Sequence, residues 1–156
     1  MERFTISLDE PLAQAFDAFV RARGYASRSE AIRDLVRETL DRQALASGEA
    51  THCVAALSYI YDHHERELAE RLTVRQHEHH DLCVATMHAH LDHRDCLETV
   101  LLRGATGSVR AFADATVAER GVRHGALNLV PARIESGTHG HGDAVAAAHV
   151  HARPRT

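Results

Sequence analysis

The chain opens with a strand pattern followed by two helix patterns. Residues 2–8 alternate polar and apolar side chains, which predicts a short β-strand. A helical period then begins after Asp9, a suitable N-cap, and stops at Gly24. A second helical period follows the capping-box sequence at 27–30 and continues to about Arg42. A βαα unit of this size is too small to bury a core alone, so we predict a dimer whose two strands pair antiparallel.

The remaining pattern predicts six elements in the order βαββαβ, the order of a ferredoxin-like sandwich. The predicted elements are a strand from Cys53 to Tyr61, a helix from His64 to about His77, strands from Asp81 to His90 and from Cys96 to Leu102, a helix from Ser108 to Arg120, and a strand from Ala126 to Val130. The fold class is therefore α+β, with an N-terminal βαα domain over 1–45, a linker over 46–51 and the second domain over 52–134.

The last part of the chain, residues 135–156, changes in composition. It is rich in glycine and alanine, has almost no bulky apolar residue, and contains four histidines, His139, His141, His149 and His151. We expect this tail to be unstructured, because it offers little apolar surface to bury.

Composition restricts the class of protein. The net charge is −4 and all 18 cationic residues are arginine, so no excess of positive charge indicates nucleic-acid binding. Three widely spaced cysteines form no disulfide framework and fit a reducing compartment. No apolar run approaches the ~20 residues of a membrane span, and the N-terminus does not resemble a signal sequence. We expect a soluble cytoplasmic protein without membrane association.

A dense group of imidazole and thiol side chains indicates a transition-metal site. His88 and His90 lie two residues apart, on one face of a predicted strand. If the next strand pairs with His90 opposite Cys96, then His88 is opposite Glu98 and all four share that face. We predict this register, with Glu98 as a hydrogen-bond acceptor that orients an imidazole. His77, at the end of the preceding helix, supplies a fourth donor from its own or a neighbouring subunit.

Three imidazoles and one thiolate suit nickel(II), copper(II) or zinc, and the residues alone do not choose between them. The competing interpretation is a hydrated, histidine-rich surface with a buried free cysteine. An enzyme is disfavoured, because four protein donors leave no open position and no acid–base pair stands beside the cluster.

The N-terminal strand suits a two-stranded ribbon that enters the DNA major groove. Arg3, Thr5 and Ser7 form its polar face and can contact base edges. Ser27, Arg28 and Ser29 at the start of the second helix can hold a phosphate, and Arg33 lies one turn further on. The alternative is a strand that serves dimerisation alone. The first 45 residues carry seven arginines against eight carboxylates, which predicts weak non-specific DNA affinity.

Together, these residues resemble the nickel-responsive transcriptional regulators of the ribbon-helix-helix class, the NikR family. The resemblance covers about residues 2–131. It is carried by Arg3-Phe-Thr-Ile-Ser-Leu-Asp9, Arg23-Gly-Tyr-Ala-Ser-Arg-Ser-Glu-Ala-Ile-Arg-Asp34, Gln76-His-Glu-His-His-Asp-Leu82, His88-Ala-His-Leu-Asp-His-Arg-Asp-Cys-Leu-Glu98 and Arg120-Gly-Val-Arg-His-Gly125.

The resemblance implies a homotetramer, with four ferredoxin-like (ACT-type) domains at the centre and two ribbon-helix-helix dimers flanking them. It implies one square-planar nickel per subunit, bound by His88, His90 and Cys96 of one subunit and His77 of another. Tyr61 and His63 match positions near the nickel shell.

The resemblance also implies how the DNA-binding unit works. Arg3, Thr5 and Ser7 match base-reading positions, while Glu30 and Asp34 match carboxylates that hold a second cation, such as K⁺, in some members. The implied function is nickel-dependent repression of nickel-uptake genes through a palindromic operator. The alternative is a regulator or metal-binding module selective for another ion, such as copper or zinc.

Overall fold

The computed structural model describes residues 2–3, 5–65, 67–139 and 147–156, with the backbone alone for 138–139 and 147–150. The chain divides into two compact units, one ending at Arg42 and the other beginning at Gln43.

The first unit contains two helices, α1 (Glu10–Arg23) and α2 (Arg28–Ala46), of which α2 continues into the second unit. The predicted start and stop signals of α1 are confirmed. The Asp9 carboxylate accepts from the Leu12 N–H at 2.9 Å, and Gly24 ends the helix with φ 71°. Helix α2 extends four residues beyond the predicted end, because 43–46 contain good helix formers and no breaker precedes Gly48, whose φ is +77°.

The first unit has almost no core of its own. Of its described residues only Ala31 is buried, and no residue of α1 is. Ile6, Leu12 and Leu40 are 50%, 53% and 49% exposed. Residues 2–3 and 5–9 have no strand partner within the described part of this chain. We expect the strand predicted there to form when a second copy supplies the partner.

The second unit is a five-stranded antiparallel sheet with two helices. Its elements are β1 (His52–Asp62), α3 (Leu68–Glu78), β2 (Cys83–His90), β3 (Asp95–Ala105), α4 (Thr106–Val117), β4 (Val122–His139) and β5 (Ala147–Pro154). The strand order is β2-β3-β1-β4-β5. The first four strands and two helices give the predicted βαββαβ order, and the α+β fold class is confirmed.

The core of this unit lies between one face of the sheet and the helices. Every second residue of β1 is buried, which brings Leu57 and Tyr59 into one cluster with Leu68 of α3 and with Val109 and Phe112 of α4. Burying a side chain of this size stabilises the fold by about 1.5–3 kcal/mol. This hydrophobic core supports the backbone from which the functional side chains extend.

The end of the chain differs from the unstructured tail that its composition predicts. Residues 135–139 continue β4, and 147–154 form β5, paired with β4 from Ala132↔Pro154 to His139↔Ala147. Beyond the part paired with β1, the backbone donors and acceptors of β4 need a partner, and β5 satisfies them. The Arg155 N–H also donates to the Pro131 carbonyl at 3.0 Å. Of the four tail histidines, His141 lies outside the described residues.

Candidate metal centre

The pairing of β2 with β3 places the predicted donors on one face. His88 is opposite Glu98, and His90 is opposite Cys96. The predicted register is therefore confirmed. Because residues two apart in a strand share a face, these four residues form one surface of the hairpin.

Three potential metal-binding atoms converge beside this hairpin. The Cys96 sulfur lies 3.3 Å from Nδ1 of His90 and 3.3 Å from Nδ1 of His63. Their donor atoms all lie within 4.8 Å of one another, the only such group of three in the described part of the chain. Cys96 is buried, His63 half-buried and His90 exposed. The cluster thus combines a sheltered sulfur with imidazoles that reach the surface.

Burial raises the pKa of the Cys96 thiol, and nearby carboxylates, Asp95 foremost, raise it further. In the metal-free chain the sulfur is therefore protonated at neutral pH. A bound cation must displace this proton, because the thiolate is the metal ligand.

Sequence spacing alone does not indicate the direct contact of His63 with Cys96, because only β2 and β3 enter the spacing argument. The signal lies in the pairing of β1 with β3, where Asp62 is opposite Asp95. His63 therefore follows the end of β1 at the same end of the sheet as Cys96. Its N–H donates to the Arg94 carbonyl at 3.0 Å.

A charged turn holds His63 in place, and α3 begins only after this turn. The Asp62 carboxylate accepts from the His64 N–H at 2.9 Å and from the Arg94 guanidinium at 3.0 and 2.7 Å. These contacts fix residues 62–65 as a turn, so α3 begins at Leu68 instead of His64. They also hold the pKa of Asp62 below its ordinary value, the His64 N–H first and Arg94 second.

His88 borders the cluster without joining the group of three. Its ring centroid lies 4.9 Å from that of His90. Its Nδ1 lies 3.4 Å from Oε2 of Glu98 and 3.4 Å from the Tyr61 hydroxyl. Tyr61 and Glu98 thus contact an imidazole of the predicted ligand set. Burial, followed by the Glu98 charge, raises the pKa of Tyr61 to about 12, so its hydroxyl stays protonated.

Glu98 also connects the hairpin to α3. It is only 7% exposed and accepts from the Tyr59 hydroxyl and, at 2.7 Å, from the Gln76 amide. The side-chain carbonyl oxygen of Gln76 in turn accepts from the Thr86 hydroxyl at 2.7 Å. Burial, reinforced by the Glu98 carboxylate, raises the pKa of Tyr59. The sequence does not single out Tyr59 and Gln76, since neither is a metal ligand by type.

His77 follows Gln76 in α3 and is exposed. The single chain does not bring it into the group formed by His63, His90 and Cys96. Its position near the end of α3 leaves its imidazole accessible to another subunit.

The predicted DNA-binding residues lie in the first unit. Arg3, Thr5 and Ser7 are exposed. The Ser27 hydroxyl accepts from the Glu30 N–H at 3.2 Å and so caps α2. Arg28 makes two 2.6 Å hydrogen bonds to the Asp17 carboxylate.

The other predicted positions of this unit lie on α2. Ser29 is exposed on its first turn, and Glu30 and Asp34 lie one turn apart. Arg33 lies between them in sequence and is exposed. Asp34 is paired with Arg37 at 3.1 Å.

Comparison with known proteins decides the family. Residues 54–130 match the model of the NikR C terminal nickel binding domain, and residues 2–43 match that of the ribbon-helix-helix protein, copG family. A nickel-responsive regulator of Edwardsiella ictaluri (strain 93-146) is 54% identical over 131 residues, which cover 84% of this chain and 90% of that protein. The chain belongs to the NikR family of nickel-responsive regulators. The predicted family is therefore confirmed, and this NikR-family chain is a regulator and not an enzyme.

Among solved structures, a crystal structure of protein MK0293 from Methanopyrus kandleri AV19 covers 65% of this chain and 65% of its own, at 15% identity and a TM-score of 0.32. A TM-score this low does not show a shared fold. Among the described residues of this NikR-family chain, no helix is long and apolar enough to span a bilayer.

Proposed function

We propose that this chain is a nickel-dependent transcriptional repressor that acts in the cytoplasm on a palindromic operator of nickel-uptake genes. The observation that carries the proposal is the β2–β3 register, which places His88, His90, Cys96 and Glu98 on one face. This face lies within the region that matches a nickel binding domain.

The proposed centre holds one nickel per subunit, bound by His88, His90 and Cys96 of one subunit and by His77 of another. Three imidazoles and a thiolate suit square-planar nickel(II). The exposure of His77 supports its role as a donor to a neighbour. His63 competes for the fourth position within one chain, because its Nδ1 already lies 3.3 Å from the sulfur. In His77→Ala the nickel absorption spectrum should change, whereas His63→Ala should preserve it. The reverse result would assign His63 as the ligand.

The same contacts offer a route from metal to helix. If His88 holds nickel, its imidazole would be fixed beside Glu98, whose carboxylate accepts from the Gln76 amide at 2.7 Å, one residue before His77. Metal binding would therefore favour the position of α3 in which Gln76 contacts Glu98. If that arrangement also favours DNA, nickel and operator must tighten each other's binding by the same factor.

The proposed assembly is a homotetramer, a dimer of dimers. In the first unit, the exposed apolar residues and the absence of a strand partner for the described residues of 2–8 support a ribbon-helix-helix dimer. In the second unit, the sheet face away from the helices carries Val84 and Leu101, 58% and 47% exposed. Burial of this face against other copies would remove it from water.

In the proposed complex, the paired strands enter the major groove and present Arg3, Thr5 and Ser7 to base edges. Ser27, Arg28 and Ser29 hold a phosphate at the start of α2, and Arg33 contacts the backbone further along. Arg28 must then exchange Asp17 for the phosphate.

Glu30 and Asp34 are proposed to hold a second cation such as K⁺. Because Asp34 is paired with Arg37, the cation must displace that guanidinium.

The central experiment titrates nickel into the wild type and Cys96→Ala while following charge-transfer absorption and binding to an operator-like palindrome. Cys83→Ala is the matched control, because this half-buried thiol also lies on the β2–β3 hairpin but outside the cluster. The wild type and Cys83→Ala should show the thiolate band and nickel-dependent DNA binding, and Cys96→Ala neither. Equal DNA affinity with and without nickel would refute the repressor.

A second variant tests the DNA face separately. Arg3→Ala should abolish preference for the palindrome over unrelated DNA while leaving nickel affinity intact. Unchanged operator binding would refute the ribbon assignment.

The alternative is a regulator or binding module tuned to copper or zinc. Copper outranks nickel for most nitrogen and sulfur sites. Competition between the three ions at matched free concentrations, with DNA binding as the readout, distinguishes them. A response to zinc or copper equal to that to nickel would favour the alternative.

A further inference from the structure

The arginine that begins α2 is held by a carboxylate on α1. The Arg28 guanidinium donates from Nε to Oδ1 and from Nη2 to Oδ2 of Asp17, both at 2.6 Å. Each nitrogen has its own oxygen, which is the bidentate arrangement in which an arginine–carboxylate pair is strongest. The pair therefore joins the two helices of the first unit at the start of α2.

A DNA phosphate at the start of α2 would need the same guanidinium. Carboxylate and phosphate both present two oxygens to the fork of an arginine, so Arg28 cannot make its bidentate contact with both at once. The free backbone N–H groups of the first turn also favour an anion at this position. A phosphate that arrives there meets an arginine that is already paired with Asp17.

The pair can be opened, because it lies at the surface. Arg28 is exposed and Asp17 is half-buried, so water and salt ions screen their attraction. The hydrogen bonds from Arg28 hold the pKa of Asp17 below its ordinary value. The carboxylate is therefore ionised at neutral pH, and its competition for the guanidinium is present under the conditions of DNA binding.

We propose that Asp17 competes with DNA phosphate for Arg28 and so lowers the affinity of this chain for DNA of any sequence. This inference rests on the proposed phosphate contact of Arg28. Binding must first break the pair, and the released carboxylate then repels the DNA. The cost is similar on the operator and on unrelated DNA, because phosphates carry no sequence information. It adds to the excess of carboxylates over arginines in the first 45 residues, so tight binding depends on base contacts and on nickel.

The test compares Asp17→Asn with Glu38→Gln in the full-length, nickel-loaded chain. Asparagine keeps the size of the side chain and removes its charge. Glu38→Gln is the matched control, because it removes the same charge from another exposed pair, with Arg42 at 2.8 Å, about 15 Å further along α2.

Fluorescence anisotropy at one salt concentration gives the affinities for an operator-like palindrome and for an unrelated duplex. Asp17→Asn should bind both DNAs about two- to fivefold more tightly than Glu38→Gln does, the range expected for an exposed ion pair. Equal affinities of the two variants would overturn the proposal. Weaker binding by Asp17→Asn would also overturn it, because Asp17 would then orient Arg28 towards DNA.

A second comparison shows whether the effect depends on Arg28. In the Arg28→Ala background, Asp17→Asn should raise DNA affinity much less than in the wild type, because no guanidinium is left to release. An undiminished gain would mean that Asp17 acts by repulsion alone, which contradicts competition. If Arg28→Ala by itself leaves DNA affinity unchanged, the phosphate contact and the competition both fail. A wild type whose DNA binding ignores nickel would refute the repressor, whereas the comparison on the unrelated duplex would still decide the role of Asp17.

Discussion

Replacement of Glu98 by glutamine tests whether this buried carboxylate orients the metal centre. Glu98→Gln preserves the shape of the side chain but exchanges one acceptor oxygen for a donor NH₂ group. The wild-type carboxylate accepts from the Tyr59 hydroxyl and the Gln76 amide and lies 3.4 Å from both the Tyr61 hydroxyl and Nδ1 of His88. The amide cannot serve all of these groups as an acceptor.

The magnitude follows from the kind of bond lost. Hydrogen bonds to charged groups contribute about 1.5–3 kcal/mol and neutral ones about 0.5–1.5 kcal/mol. At 7% exposure, water cannot replace the lost partner. Glu98→Gln should therefore lower the free energy of unfolding of the metal-free chain by about 1–3 kcal/mol. Loss of an orienting partner typically weakens metal binding about 10–100-fold, and we expect nickel affinity to fall within that range.

Two assays check these values: urea unfolding of the metal-free proteins, and nickel titration in competition with a chelator. Glu70→Gln is the matched control, because Glu70 is exposed on α3 and does not belong to the cluster. It should match the wild type in both assays. If Glu98→Gln binds nickel within about twofold of Glu70→Gln, the orienting role of Glu98 is refuted.

Three further predictions concern stability. Gly121→Ala should lower the free energy of unfolding by about 1–3 kcal/mol, because Gly121 has φ +96° and no room for a Cβ, whereas Gly107→Ala in open space should not; urea denaturation measures both. The His64 N–H and Arg94 lower the pKa of Asp62, so the ionised carboxylate stabilises the fold fully above its ordinary pKa of 3.8, and this stabilisation is lost as pH falls through the lower folded-state pKa. The difference in unfolding free energy between the wild type and Asp62→Asn should therefore become smaller on acidification. A difference that stays constant with pH would contradict this. Nickel at 100 times its dissociation constant should stabilise the folded chain by about 2.7 kcal/mol, measured by unfolding with and without a chelator, and no change would exclude selective binding to the folded state.

Local rules explain why much of this chain could be predicted. The limits of α1 follow from Asp9 and Gly24, which act within one turn of themselves. Because side chains alternate between the two faces of paired strands, the residue count across one short turn predicts that His90 and Cys96 share a face. Both predictions depend on residues close together in sequence.

The missed contacts depend on pairings between distant segments. His63 reaches Cys96 because β1 lies beside β3, and Tyr59 and Gln76 meet at Glu98 because α3 packs over the same sheet. Strand β5 was missed for another reason. Its alanine- and histidine-rich composition carries no strong apolar pattern, and its pairing depends on the edge of β4 beyond β1.

The β2–β3 turn, residues 91–94, constrains how this protein can change over evolutionary time. Substitutions within the turn leave the facing of His90 and Cys96 intact, provided that its length is kept. Because β3 is also paired with β1 from Asp95 to Ala105, insertion or deletion of a single residue would shift the edge strand β2 by one position and carry His88 and His90 to the opposite surface. A relative could therefore lose its metal response without any change in a ligand. Length variants at this turn that keep the response should differ by even numbers of residues.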